Sequence, residues 1–338
     1  MKRRQFLKST AALSAGSMFA GMGIGQVVAQ EAGRLVFLTP QGYSLAFSAI
    51  MYGQSGGFFA EEGLDVHVEG GRGAAQTIQL VAAEQVDVSR TGGANYMISR
   101  IEQSAPVIAI ATIAQISPFF MISPEEDPIV DAEDYIGRTV GMASLGGSME
   151  ATLDLMLRRN GLDPAEVNRE RVADTPAGFG LIEAGRLDGF FGNVSTATRL
   201  QAEGLPIAIE PVRDGIPGQV YIAHENTVAE RPDELTAFVR GAYRAVQDIV
   251  ARGDDLEPVI ESMRSMFDIP GSENTEVAIQ DLKGNRDLWV ANGVDNALRC
   301  DPEQWAEGEA LLRDAGSITS ETDLELFTNR FWDQANAG

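Results

Sequence analysis

From residue 34 onward, short apolar runs alternate with longer stretches of helical periodicity, and this alternation constrains the fold more than any other feature of the chain. Apolar runs at 35–38, 65–68, 86–88 and 107–111 are separated by helical patterns at 45–62, 74–84 and 94–103. Short apolar runs bounded by turn residues read as buried strands, and apolar spacing near 3.6 reads as helix. A second series follows, with strands at 139–142, 170–172, 187–191 and 207–209 and helices at 148–160, 177–184 and 195–203. Repeated strand–helix units demand α/β architecture with mostly parallel sheets flanked by helices, because parallel neighbours need a crossover and the helix supplies it.

Two series imply two lobes. The apolar, extended segments 114–122 and 219–223 read as links between them. The expected organisation is lobe I at 30–113 and 223–338 and lobe II at 114–222, with hinge crossings at both ends of lobe II. A long helix at 233–252 and a mostly helical remainder complete lobe I. In open α/β sheets the ligand crevice lies beyond the carboxyl ends of the strands. That rule selects the loops 39–43, 70–73, 90–93, 143–148 and 192–193.

Composition removes several function classes. Acids outnumber bases 49 to 26, a formal charge of −23, so the basic footprint that nucleic acid requires is missing. One cysteine, Cys300, permits no internal disulfide, and two histidines, His67 and His224, give no zinc cluster. No phosphate-binding loop with its lysine occurs, and no cofactor is expected. Gly53-Gln54-Ser55-Gly56-Gly57 matches the nucleophile-elbow pattern only literally, because a helical stretch and not a strand precedes it.

Residues 1–29 read as a twin-arginine-type signal peptide. Lys2-Arg3-Arg4-Gln5-Phe6-Leu7-Lys8 opens it, a weakly apolar run at 11–25 follows, and Val27-Val28-Ala29 offers small residues at a cleavage site. Its removal takes four bases and no acid, lowering the formal charge from −23 to −27 and leaving Lys283 as the only lysine. No cysteine follows the expected cleavage point to carry a lipid, so a soluble periplasmic monomer is expected.

The strand-end loops supply the candidate ligand residues. Ser144, Gly147 and Ser148 precede a helix whose free N–H groups favour a polar or anionic group. Arg90, Thr91 and Gly92 make the same arrangement in the first lobe, so two helix N-termini are expected to face one another across the cleft. Arg72, in a third glycine-rich turn, and Arg90 are the cleft-edge cations suited to a carboxylate or sulfonate. Gln41 and Tyr43 follow the first strand, Gln115 lies in the first crossing, and Asn193 ends a strand where it serves the ligand or caps the next helix. Tyr43, Tyr96, Phe119 and Tyr221 are the rings available for stacking, with the hydrophobic core as the competing use.

With these loops placed, the chain resembles the periplasmic substrate-binding proteins of ABC importers, in the family that includes alkanesulfonate, taurine, nitrate and thiamine-pyrimidine-precursor binders. The resemblance rests on Gly57-Phe58-Phe59-x-x-Glu62-Gly63-Leu64-x-Val66, on the stretch from Gln79 ending Val86-Asp87-Val88-Ser89-Arg90-Thr91-Gly92, and on Asp134-Tyr135-Ile136-Gly137-Arg138-Thr139-Val140-Gly141. Leu326-Phe327-Thr328-Asn329-Arg330-Phe331 is similar to tail segments of pyrimidine-precursor binders. The resemblance implies a two-lobed, type II-like binding-protein fold that closes on a small solute and delivers it to a membrane permease with its ATPase. A small organic anion ranks above a neutral pyrimidine as the expected solute, on the strength of Arg72 and Arg90. A ligand-sensing receptor subunit and, behind it, a periplasmic enzyme on the same scaffold are the alternatives.

Overall fold

A computed structural model describes residues 33–337 except 74, 75 and 322. The stretch 1–29, read as an export signal, lies outside the described residues. Ten strands form two five-stranded sheets within one continuous unit, Ala32–Gly338. The strands are β1 (Gly33–Leu38), β2 (Leu64–Glu69), β3 (Val88–Gly92), β4 (Val107–Ala114), β5 (Phe119–Pro124), β6 (Thr139–Met142), β7 (Asn168–Arg171), β8 (Gly189–Asn193), β9 (Ile207–Pro211) and β10 (Gln219–His224).

The first sheet runs β2-β1-β3-β10-β4 and the second β7-β6-β8-β5-β9. Within the first, β1 pairs in parallel with β2 and β3, whereas β10 is antiparallel to both β3 and β4. In the second, β6 pairs in parallel with β7 and β8, and β5 is antiparallel to β8 and β9. Each sheet is therefore mostly parallel, with one reversed strand. The reversed strands are the two that follow the crossings. Each lies between two strands that run the opposite way, β10 between β3 and β4 and β5 between β8 and β9.

The crossings are shorter than the sequence suggests. Since β4 ends at Ala114 and β5 begins at Phe119, the first crossing is 115–118, and the second is 212–218. All of β10 pairs in the first sheet, so Gln219–His224 joins that sheet and does not straddle a boundary at 223. The two crossings touch: a Cβ placed on Gly218 would lie 1.9 Å from the Ile116 carbonyl oxygen, so only glycine fits there.

Hydrophobic patterning explains the layers. In β2, Leu64, Val66 and Val68 are buried while Asp65, His67 and Glu69 are exposed, as an edge strand with one wet face requires. The helix Pro232–Ala251 buries Leu235, Phe238, Val239, Ala242, Ala245, Val246 and Ile249, spaced three or four apart on one stripe. Phe238 of that stripe stacks on Phe37 and Phe59 and meets Tyr221 edge-on, fastening the helix to the sheet. Strand β4 is buried along its whole length because the C-terminal segment covers its free edge. Ala109 N–H donates to the Leu326 carbonyl at 3.3 Å, and Thr328 N–H donates to the Ala109 carbonyl at 2.9 Å. The 326–331 tail thus has a structural task in the first sheet.

Candidate functional site

The carboxyl ends of parallel strands from both sheets converge on a cavity. Pro40 and Gln41 reach it from beyond β1, Arg90 from β3, and Gln219 from the start of β10. From the second sheet come Phe119 of β5, Ala143 and Ser144 beyond β6, Asp174 beyond β7, and Asn193 at the end of β8. Ser148 and Met149 open the helix Ser148–Arg159, and Asn285 arrives from the distant helix Thr275–Trp289. The cavity volume is 60 Å³. At about 10–15 Å³ per water, that is room for roughly four to six waters, the bulk of one six-membered ring.

Arg90 is 3% exposed and held from three sides. Its Nη1 donates to the Ala46 carbonyl at 2.5 Å, its Nε donates to Gln219 Oε1 at 3.2 Å, and the guanidinium sits 5.2 Å from the centre of the Phe47 ring. Burial lowers its pKa to about 10, so it stays charged at neutral pH. The sequence places Arg90 and Thr91 in a loop after a strand ending at 88. They lie instead within β3, where Arg90 faces Tyr221 of β10 in register. Arg90 and Thr91, neighbours along the strand, therefore point to opposite faces of the sheet, and of the two only Arg90 lines the cavity.

Asp174 is the residue that the sequence reading missed. It is 9% exposed. Its Oδ1 accepts the Asn193 N–H at 3.2 Å, while Oδ2 is buried beside the Thr196 hydroxyl and the Gln41 side chain without a hydrogen bond of good geometry among the described residues. Burial pushes its pKa up, and the Thr196 side chain, the Asn193 amide and the Gln41 side chain oppose that shift. A buried carboxylate oxygen without a donor costs free energy, so it marks a place where a ligand donor belongs. The loop after the expected strand 170–172 is not among those the strand-end rule selected, and nothing in the sequence singles out this acid among 49.

Behind Asp174 lies a second buried carboxylate. Ser195 Oγ donates to Asp281 Oδ1 at 2.6 Å, and Asn285 Nδ2 donates to the same oxygen at 2.8 Å. Burial raises the Asp281 pKa to about 7, and the Asp174 charge adds to the rise. No local sequence signal connects a helix near residue 281 with this cleft.

Among the other expected residues, Gln41, Ser144, Ser148, Asn193 and Phe119 line the cavity, while Tyr43 and Arg72 line a wider groove at its mouth. Asn193 also caps the helix Val194–Glu203, its Oδ1 accepting the Thr196 N–H at 3.1 Å. Thr91, Gly92, Gln115 and Gly147 line neither space. The Gln115 side chain serves structure instead: its Nε2 donates to the Thr112 carbonyl at 3.2 Å and its Oε1 accepts from Asn292 at 3.2 Å. Tyr96 and Tyr221 are core residues, with the Tyr96 hydroxyl donating to the Leu326 carbonyl. The two helix starts do meet, but in direct contact: Gly92 N–H donates to Ser148 Oγ at 2.8 Å. Gly147, and not Ser148, occupies the cap position, which leaves the Ser148 hydroxyl available to that amide.

Residues 45–255 match the model of the family described as NMT1/THI5 like. The chain belongs to the NMT1/THI5-like family. Its relatives include the riboflavin-binding protein RibY of Chloroflexus aurantiacus, 20% identical over 303 residues, covering 85% of this chain and 83% of the relative. The formylaminopyrimidine-binding protein of Halalkalibacterium halodurans is 27% identical over 284 residues, covering 78% and 83%. Among solved structures, the alkanesulfonate-binding protein SsuA of Xanthomonas axonopodis pv. citri, bound to MOPS, superposes with a TM-score of 0.62 at 12% identity, covering 86% of this chain and 96% of that one. The NMT1/THI5-like chain therefore has the periplasmic-binding-protein fold, and the family supports a solute-binding role. No helix among its described residues is long and apolar enough to cross a membrane.

Proposed function

We propose that this chain is an exported solute receptor that captures a small nitrogen heteroaromatic of the aminopyrimidine type between its two sheets and delivers it to an ABC permease. The observation that carries the reading is Asp174, a buried carboxylate on the cavity wall whose Oδ2 makes no well-formed hydrogen bond among the described residues. An N–H donor satisfies that oxygen, whereas a sulfonate or carboxylate in the same space adds like charge. This reverses the order expected from Arg72 and Arg90, since Arg90 keeps its Nε and Nη1 on Gln219 and Ala46 and Arg72 lines the outer groove and not the inner cavity. Cavity size supports a single ring, which favours the ligand class of the formylaminopyrimidine-binding relative over the three-ring riboflavin.

Mass spectrometry of ligand released from the purified protein, followed by a thermal-shift screen of aminopyrimidines, sulfonates, carboxylates and nitrate, tests this. A ligand at 100 times its Kd raises stability by about 2.7 kcal/mol. Stabilisation by aminopyrimidines is the expected result. Stabilisation by sulfonates alone overturns the ligand assignment, and turnover of the bound compound overturns the receptor reading. Export through a twin-arginine signal belongs to the same proposal. Replacing Arg3 and Arg4 with Lys is expected to leave precursor in the cytoplasm, and normal export of that variant overturns it.

A further inference from the structure

At its mouth the cavity opens into a larger groove, and the two spaces share Gln41, Ala143 and Asp174. The groove has a volume of 560 Å³ against 60 Å³ for the inner cavity. Three arginines line it: Arg72 beyond β2, Arg171 at the end of β7, and Arg199 on the helix Val194–Glu203. In a chain of charge −23, such a gathering is unusual. Among the described residues none of the three is ion-paired with a carboxylate within 4.0 Å. Arg171 and Arg199 hydrogen-bond to backbone carbonyls: Arg171 Nη2 donates to Arg72 O at 3.5 Å, and Arg199, in the field of Asp174 and Asp281, donates to Ser195 O at 3.2 Å and Pro270 O at 3.3 Å. Arg72 and Arg171 are exposed, and they bring cations from the two sheets to one place.

We infer that the solute carries an oxyanion on a short arm, with its ring beside Asp174 and its anion among Arg72, Arg171 and Arg199. This rests on the aminopyrimidine reading above and extends it to the part of the ligand outside the inner cavity. The inner space is one ring in size, so any substituent on a captured ring projects past Gln41 into the groove. There it meets guanidinium groups, which hold oxyanions in bidentate fashion. The two spaces thus divide the ligand by charge: donors face a carboxylate inside, and acceptors face arginines outside.

Calorimetric titration of the purified protein with 4-amino-5-(hydroxymethyl)pyrimidine, its phosphate monoester and its carboxymethyl analogue tests the inference. The expected result is an affinity at least tenfold higher for one or both anions than for the alcohol, with the advantage shrinking at high salt. An advantage confined to the monoester assigns the groove to phosphate, and one shared by both assigns it to oxyanions generally. In the R72Q/R171Q double variant, which keeps Arg199, the advantage of the anions over the alcohol is expected to shrink to threefold or less. Because both arginines are exposed, that variant should fold normally, which an unchanged melting temperature checks. Equal binding of alcohol and anions, or an advantage undiminished in the double variant, overturns the inference and leaves the aminopyrimidine reading intact. Failure of all three compounds to bind overturns that reading, and this inference with it.

Discussion

The amide of Gly92 donates to the hydroxyl of Ser148 at 2.8 Å, joining the end of β3 in the first sheet to the first turn of the helix behind β6 in the second. The contact bridges the cleft beside the cavity that Ser148 lines. A Cβ on Gly92 would lie 2.4 Å from Ser148 Cβ. Gly92 itself has φ −73° and ψ 146°, a conformation open to any residue. Alanine there is therefore excluded by the opposite sheet and not by its own backbone. Gly92→Ala is expected to hold the two sheets apart, weaken solute binding at least tenfold, and shift the melting temperature of the ligand-free protein little. Calorimetry with small-angle scattering of the ligand-bound form checks this; unchanged affinity with a compact profile would show that closure does not need the contact.

Asp174 makes opposite demands on folding and binding. Its carboxylate is buried and desolvated, so Asp174→Asn is expected to raise the stability of the ligand-free protein while weakening an N–H-bearing solute by about 1.5–3 kcal/mol, the worth of a hydrogen bond to a charged group. The sign with pH follows from its raised pKa. Protonation is favoured in the folded state, so the native advantage exists at low pH and is lost as the group ionises. Binding of the donor strengthens over the same rise. Chemical denaturation and calorimetry at several pH values measure both, and a variant that loses stability without losing affinity would place Asp174 outside the binding machinery.

Arg90 invites the same separation of roles. A buried guanidinium with no carboxylate ion pair among the described residues is expensive to desolvate, which is why its pKa falls to about 10. Arg90→Met keeps most of the stem packed against Phe47 and removes the charge. It leaves the Ala46 carbonyl and Gln219 Oε1 without their donor, a cost that relief of desolvation partly offsets. The expected net change in stability is under about 2 kcal/mol, with affinity reduced tenfold or more. Collapse of the fold together with the loss of binding would make Arg90 a structural residue.

The sheets were legible where apolar patterning carries the information, and illegible where polar residues are buried for the site. Leu35 to Leu38, Val107 to Ala111 and the stripe on Pro232–Ala251 follow directly from periodicity. The Ser89-Arg90-Thr91-Gly92 part of β3 does not, because its side chains bond across the interior, as Ser89 Oγ does to the Leu38 carbonyl at 2.8 Å. Strand-end loops located Gln41, Ser144 and Asn193 because topology alone puts them at the crevice. Gln115 deceived by the same logic, since residues near 292 and 299 come back to occupy its amide. Asp281 and Asn285 reach the site from a helix about ninety positions after Ser195, and only the folded chain brings them there.

That contact supplies a pH-dependent prediction. Asp281 is 4% exposed, faces Ser195 and Asn285 directly, and lies in the field of Arg199, which lowers its pKa, and of Asp174, which raises it. Its pKa of about 7 stands above the ordinary 3.8. Between those values the unfolded chain has released the proton that the folded chain still holds, so stability falls as pH rises across that interval and levels off above it. Asp214 contributes in the same direction, with its pKa raised to about 6 by burial. Asp281→Asn keeps an acceptor for Ser195 and for Asn285 and removes the titration. The difference in stability between the variant and the native protein is therefore expected to grow, in favour of the variant, by on the order of 1–4 kcal/mol between about pH 4 and pH 7. Asp214 and the surface carboxylates act alike in both proteins and cancel in the difference. Denaturant unfolding of both across this range measures it, and parallel stability curves would mean that Asp281 is already ionised in the folded chain at low pH.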